Sequence, residues 1–124
     1  MSLAQTKAAT LLQESSDEVT SHQVISLLMD GALERVVQAQ ECLESGNRTD
    51  ADVLVAKLVG IINGLRGSLN LDAGGEIAVN LDALYDYMIG RLSDTQGDPV
   101  VLAEVQRLIG ELKSGWDAID TEAC

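Results

Sequence analysis

The side chains best suited to chemistry are few. The chain carries one histidine, His22, two cysteines, Cys42 and Cys124, and twenty Asp and Glu residues. A metal site on a helix needs a second ligand at HExxH-like spacing, and His22 has neither that partner nor a cysteine neighbour. A carboxylate-bridged di-iron centre needs Glu-x-x-His on two helices, which a single histidine cannot supply. A Cys–His nucleophile pair fails on distance, because Cys42 lies some twenty residues along the same helical segment, about 30 Å at 1.5 Å per residue. Gly74-Gly75 lacks the Lys-Ser/Thr of a phosphate-binding loop. The carboxylates are scattered along helical patterns and read as a solvated surface, not a catalytic pair. These residues point away from an enzyme and require no metal or cofactor.

Chemistry suited to binding another chain is concentrated between Asn63 and Arg91. Tyr85 and Tyr87, the only tyrosines, stand in Leu84-Tyr85-Asp86-Tyr87-Met88, pairing apolar bulk with polar or flexible ends. Asn63, Asn70 and Asn80 sit among leucines and suit main-chain hydrogen bonding. Just upstream, Leu54, Val55, Leu58, Val59, Ile61, Ile62, Leu65 and Leu69 sweep an arc of roughly 160°, where a single core face needs about 100°. Two readings stand: a bundle helix with two neighbours, or a groove for a partner's helix. Ala56, Gly60, Gly64 and Gly67 fall on the opposite side. They read either as a place for close backbone approach or as tolerated surface glycines, each costing about 1 kcal/mol against alanine.

The elements that position these residues are helical. Ile25, Met29, Ala32, Val36, Ala39 and Leu43 recur at steps of three and four, with Thr20 and Gln23 as a capping box and Gly46-Asn47 as the stop. A second stripe runs Leu54, Leu58, Ile61, Leu65 and Leu69, entered through Thr49-Asp50. A third runs Ile77, Leu81, Leu84, Met88 and Leu92, entered after Gly74-Gly75. The fourth runs Val101, Val105, Leu108, Leu112, Trp116 and Ile119, opened by Asp98-Pro99 as N-cap and first-turn proline. No window alternates as a half-buried strand would. Short connections between long helices make antiparallel neighbours, so the expected fold is all-α, an up-down-up-down four-helix bundle over residues 20–124. Residues 1–19 read as an N-terminal arm or short capping helix.

Length and charge narrow the partners. A chain of 124 residues makes one domain, and 46% hydrophobic content against 23% charged makes a core possible. A formal charge of −12 disfavours nucleic acid and anionic membrane surfaces, both of which select basic groups. No signal-like opening and no run near the ~18 apolar residues of a membrane span is present. Cys42 and Cys124 read as free thiols, and the expected compartment is the cytoplasm.

Three blocks of sequence resemble the FliS family of flagellar export chaperones. They are Leu27-Leu28-Met29-Asp30-Gly31-Ala32-Leu33; Ile61 to Asn70 running into Gly74-Gly75-Glu76-Ile77-Ala78-Val79-Asn80-Leu81; and Leu84-Tyr85-Asp86-Tyr87-Met88. Glu111-Leu112-Lys113 with Trp116 is similar to the family's closing helix, so the likeness covers roughly residues 20–120. The chain departs from the family pattern at Met29, where tyrosine is common, and at His22, where proline is common. Aromatic residues usual near Val36 are also missing. The resemblance implies a cytoplasmic helical bundle that binds the disordered C-terminal region of flagellin, blocks its premature polymerisation and keeps it fit for the type III export gate. It implies no nucleotide or metal. The expected flagellin groove comprises Ile62, Leu65, Leu69, Leu71, Ala78, Leu81 and Tyr85. The competing expectation is a self-associating structural bundle whose extra apolar face is a homodimer seam.

Overall fold

The computed structural model describes residues 21–69 and 71–118. Four helices follow one another: α1 (Ser21–Glu44), α2 (Arg48–Gly67), α3 (Leu71–Thr95) and α4 (Pro99–Ala118), with no strand among the described residues. The first turn closes α1 by a Schellman motif: Gly46 at φ 79° bonds back to Leu43 O, and Asn47 N to Cys42 O at 2.7 Å. Asn47 then caps α2, its side-chain oxygen accepting from Asp50 N, so α2 begins earlier than Thr49-Asp50 suggests. Asp98 accepts from Val101 N at 2.9 Å and Pro99 opens α4, as their order predicts. Thr20, residues 1–19, Asn70, Ile119 and Cys124 lie outside the described residues.

Helix α3 starts at Leu71, ahead of the diglycine expected to precede it. The irregularity falls inside the helix instead, at Gly75 with φ 58° and ψ −136°, a backbone region that a Cβ would not tolerate. Regular helix resumes at Glu76.

Helix α1 packs along α2 and α4, and α3 closes the ring against α2 and α4, which is the up-down-up-down order. Met29, Ala32, Val36 and Ala39 of α1 meet Leu58, Ile62 and Leu65 of α2, Met88 and Leu92 of α3, and Val101, Leu102, Val105 and Ile109 of α4 in one core. Among the described residues no polar or charged side chain is buried, so the interior is held by apolar packing alone. The wide arc of α2 is taken up by two neighbours. Ile61 lies against Gly31 of α1, its Cδ1 3.7 Å from where a Cβ would stand, and Val59 turns to Leu92 of α3.

Candidate binding surface

Buried and uncovered apolar side chains occur at both ends of the bundle, Val100 near the α3–α4 turn being 74% exposed. Near the α1–α2 and α3–α4 turns, Ala39, Ala51, Leu92, Val101 and Leu102 are sealed from solvent. Toward the other end, Ile25, Leu28, Leu69, Leu81, Leu84, Leu108, Leu112 and Trp116 are only partly buried. Ile77, which its periodicity places in the core stripe, is 73% exposed. That correction has a physical reason: the side chains that α3 turns inward are Ala78, Tyr85, Met88 and Leu92, and Ile77 stands one residue aside from that row.

The α3–α4 seam is the sparsest of the four. Its polar ties are those from Tyr87, whose hydroxyl donates to Glu104 at 2.7 Å, and from Arg91, which reaches Glu104 at 3.3 Å. Steps of seven put Ile77 and Leu84 on the same edge of α3 as Arg91, while Leu108, Glu111 and Gly115 share the edge of α4 that carries Glu104. Stepping back along α3 from Arg91 and forward along α4 from Glu104 brings Leu84 opposite Glu111 and Ile77 toward Ala118. Gly115 offers no side chain to fill the gap, and a Cβ built on it meets nothing within 4 Å. Along these two helices Ile77 is exposed, while Leu81 and Leu84 of α3 and Leu108 and Leu112 of α4 are partly buried at the edge of the core.

The neighbouring seams are tied shut. Arg66 of α2 donates to both carboxylate oxygens of Asp82, at 2.6 and 3.3 Å, and to Asp86 at 3.0 Å. Between α1 and α4, Trp116 Nε1 donates to His22 O at 2.8 Å, and His22 Nε2 donates to Trp116 O at 2.6 Å with the rings stacked at 4.8 Å. Ser26 donates to Asp117 at 2.7 Å, and Lys113 reaches both Asp30 and Asp117. The Lys113 and Ser26 hydrogen bonds hold the Asp117 carboxyl below its ordinary range.

Of the residues expected to form a groove, Ile62, Leu65 and Tyr85 lie inside the bundle at 0%, 1% and 2% exposure, and Ala78 is buried at 4%. Leu69 and Leu81 sit at the core's edge. Leu71 belongs to a stretch where only the backbone is described. The structure places Ala78, Leu81 and Tyr85 on one face of α3, with Tyr85 in the same core as Ile62 and Leu65 of α2. The core stripes include Ile77, Leu84, Leu108 and Leu112; the last three do pack against the core, and Ile77 alone of the four is exposed. Burial pushes the Tyr85 hydroxyl above the ordinary tyrosine range, and the hydrogen bond to Glu104 does the same for Tyr87. The partner carboxyl of Glu104 is lowered, first by Tyr87 and then by Arg91.

Among the described residues no group of three or more His, Cys, Asp or Glu is placed to hold a metal ion. No described helix is long and apolar enough to cross a membrane.

Comparison with known proteins places the chain in a family. The family model described as flagellar protein FliS matches residues 4–123. The flagellar secretion chaperone FliSB of Pseudomonas aeruginosa is 44% identical over 110 residues, which is 87% of each chain. The flagellar secretion chaperone FliS of Vibrio cholerae is 38% identical over 103 residues, 82% of this chain and 76% of the relative. That of Salmonella typhimurium is 39% identical over 105 residues, 82% of this chain and 78% of the relative.

Proposed function

This chain belongs to the FliS family of flagellar secretion chaperones, and from that premise we propose that its cargo is the disordered C-terminal region of flagellin, bound in the cytoplasm. The cargo segment folds as an amphipathic helix against the α3–α4 cleft. Ile77, Leu81 and Leu84 line one wall and Leu108 and Leu112 the other. Ala78 forms part of the floor, Tyr85, Ile62 and Leu65 support it from inside, and Leu69 and Leu71 complete the set of residues expected to meet the cargo. Burying the cargo's apolar stripe there removes the surface by which flagellin subunits would self-associate. The cost of ordering the segment offsets part of the contact energy, so the complex stays releasable at the export gate.

The observation that carries this reading is the apolar surface of the first half of α3, where Ile77 at 73% and Val79 at 56% exposure stand beside the partly buried Leu81 and Leu84. Calorimetric titration of the full chain with a C-terminal flagellin segment at several temperatures tests it. The expected result is saturable one-to-one binding with a negative heat-capacity change. Ile77→Asp is expected to weaken binding at least about tenfold while circular dichroism stays unchanged, because a carboxylate at that wall must be desolvated by the cargo. Equal affinity in the folded variant would remove the cleft from the site. No affinity, together with a mass that grows with concentration, would favour the homodimer instead. Tyr85→Asp is a poor probe, since a charge there enters the core and tests folding.

A further inference from the structure

The first half of α3 is fastened to the bundle unusually lightly. Glu76 to Asp86 begins just after the non-helical Gly75, and Ile77 and Val79 stand 73% and 56% exposed. The ties from α3 to α4 lie beyond it, at Tyr87 and Arg91. Its described polar ties to another helix come from one side chain, Arg66 of α2. That guanidinium meets Asp82 with two parallel hydrogen bonds and Asp86 with a third, spanning one helical turn of α3. Its apolar anchorage is concentrated in one large side chain, the buried Tyr85: Ala78 is small, and Leu81 and Leu84 are only partly buried. A segment with few buried contacts opens locally well below the free energy of global unfolding.

We propose that Arg66 is a strap that holds residues 76–86 against α2 and sets how often this half of α3 lifts from the bundle. Lifting widens the α3–α4 cleft and uncovers Ala78, Leu81 and Tyr85, so the strap governs how fast a helical cargo gains the apolar floor. The gating role rests on the cargo reading above; the strap itself does not. Arg66 acts here as a positioning residue. Lysine at 66 keeps a point charge but not the planar fork, so it retains one carboxylate tie and loses the span across the turn.

Hydrogen exchange read by mass spectrometry on the free full-length chain tests the strap. In Arg66→Met, amides of residues 76–86 are expected to exchange up to about fivefold faster, the scale of a partly exposed ion-pair network, with α1 and residues 99–110 unchanged. Arg66→Lys should recover part of the protection. Raising sodium chloride to about 0.5 M should accelerate the same segment in the natural protein and leave Arg66→Met unaffected, because only the former has a charge pair to screen. Unchanged exchange in Arg66→Met, or acceleration spread evenly over all four helices, would overturn the strap. Stopped-flow mixing with the flagellin segment then tests gating: a faster association in Arg66→Met supports it, and an unchanged rate despite faster exchange removes it. Should the natural protein fail to bind the segment at all, the cargo reading falls while the exchange data still judge the strap.

Discussion

At the scale of single residues, this chain uses its rare polar and aromatic side chains as ties between helices. His22 and Trp116 each donate to the other's main-chain oxygen and stack their rings, joining the first turn of α1 to the last of α4. Nothing local to His22 announces this, because its partner lies 94 residues away. The two tyrosines make the clearest titration test. Tyr85 is raised by burial, so its contribution to stability is complete below the ordinary tyrosine range and is lost as pH climbs through its raised value. Tyr87 is raised by its hydrogen bond to Glu104. Tyrosinate absorbance is therefore expected to appear only above the ordinary range, the Tyr85 step coinciding with loss of helicity. Glu104→Gln should bring one step, that of Tyr87, back down. Two tyrosines titrating together at the ordinary value would show that neither contact forms in solution.

At the scale of elements, glycines do opposite things in different places, and helical phase distinguishes them only in part. Gly60 and Gly64 lie on the exposed face of α2, where an added Cβ meets nothing within 4 Å. Alanine at either is expected to raise stability by about 0.8 kcal/mol through helix propensity alone. Gly97, in the turn before α4, has φ 69°, and a Cβ there would come 2.6 Å from Val55 Cγ2. Gly97→Ala is expected to cost about 2 kcal/mol, combining left-handed strain with crowding of a packed neighbour. Thermal or denaturant unfolding of the three variants checks the contrast. A loss of stability in Gly60→Ala or Gly64→Ala would mean that the stripe is packed against something. The turn glycines were legible from their place between stripes. The contact of Gly97 with Val55 was not, because it joins the α3–α4 turn to α2.

At the scale of the whole molecule, a charge of −12 sits on a bundle whose interior is wholly apolar among the described residues. Surface repulsion therefore works against compactness, and its screening should outweigh the loss of a few exposed ion pairs. Raising ionic strength from about 10 mM to about 150 mM is expected to raise the unfolding midpoint by a few degrees. The same salt loosens the Arg66 strap, so global stability and local opening should move in opposite directions. A midpoint that falls with salt would assign the ion-pair networks a larger share than their exposure allows.

The four helices, their order and most of the core were readable in the sequence, because three-and-four spacing and end signals such as Asp98-Pro99 act within one or two turns. Residues 29–39 of α1 bury the side chains that their phase selects, whereas α4 buries Val101 and Val105 of its stripe together with Leu102 and Ile109 outside it and leaves Leu108 partly buried. The family, too, was readable, since Gly74 to Leu81 and Leu84 to Met88 carry it in contiguous residues. Which apolar side chains remain uncovered was decided only by tertiary structure. Phase places Ile77 and Met88 on one stripe, yet one is 73% exposed and the other fully buried. Packing turns Ala78, Tyr85, Met88 and Leu92 of α3 into the bundle and leaves Ile77, near the start of the helix, outside that row. Exposure is a property of what stands opposite a residue, and no local period encodes that.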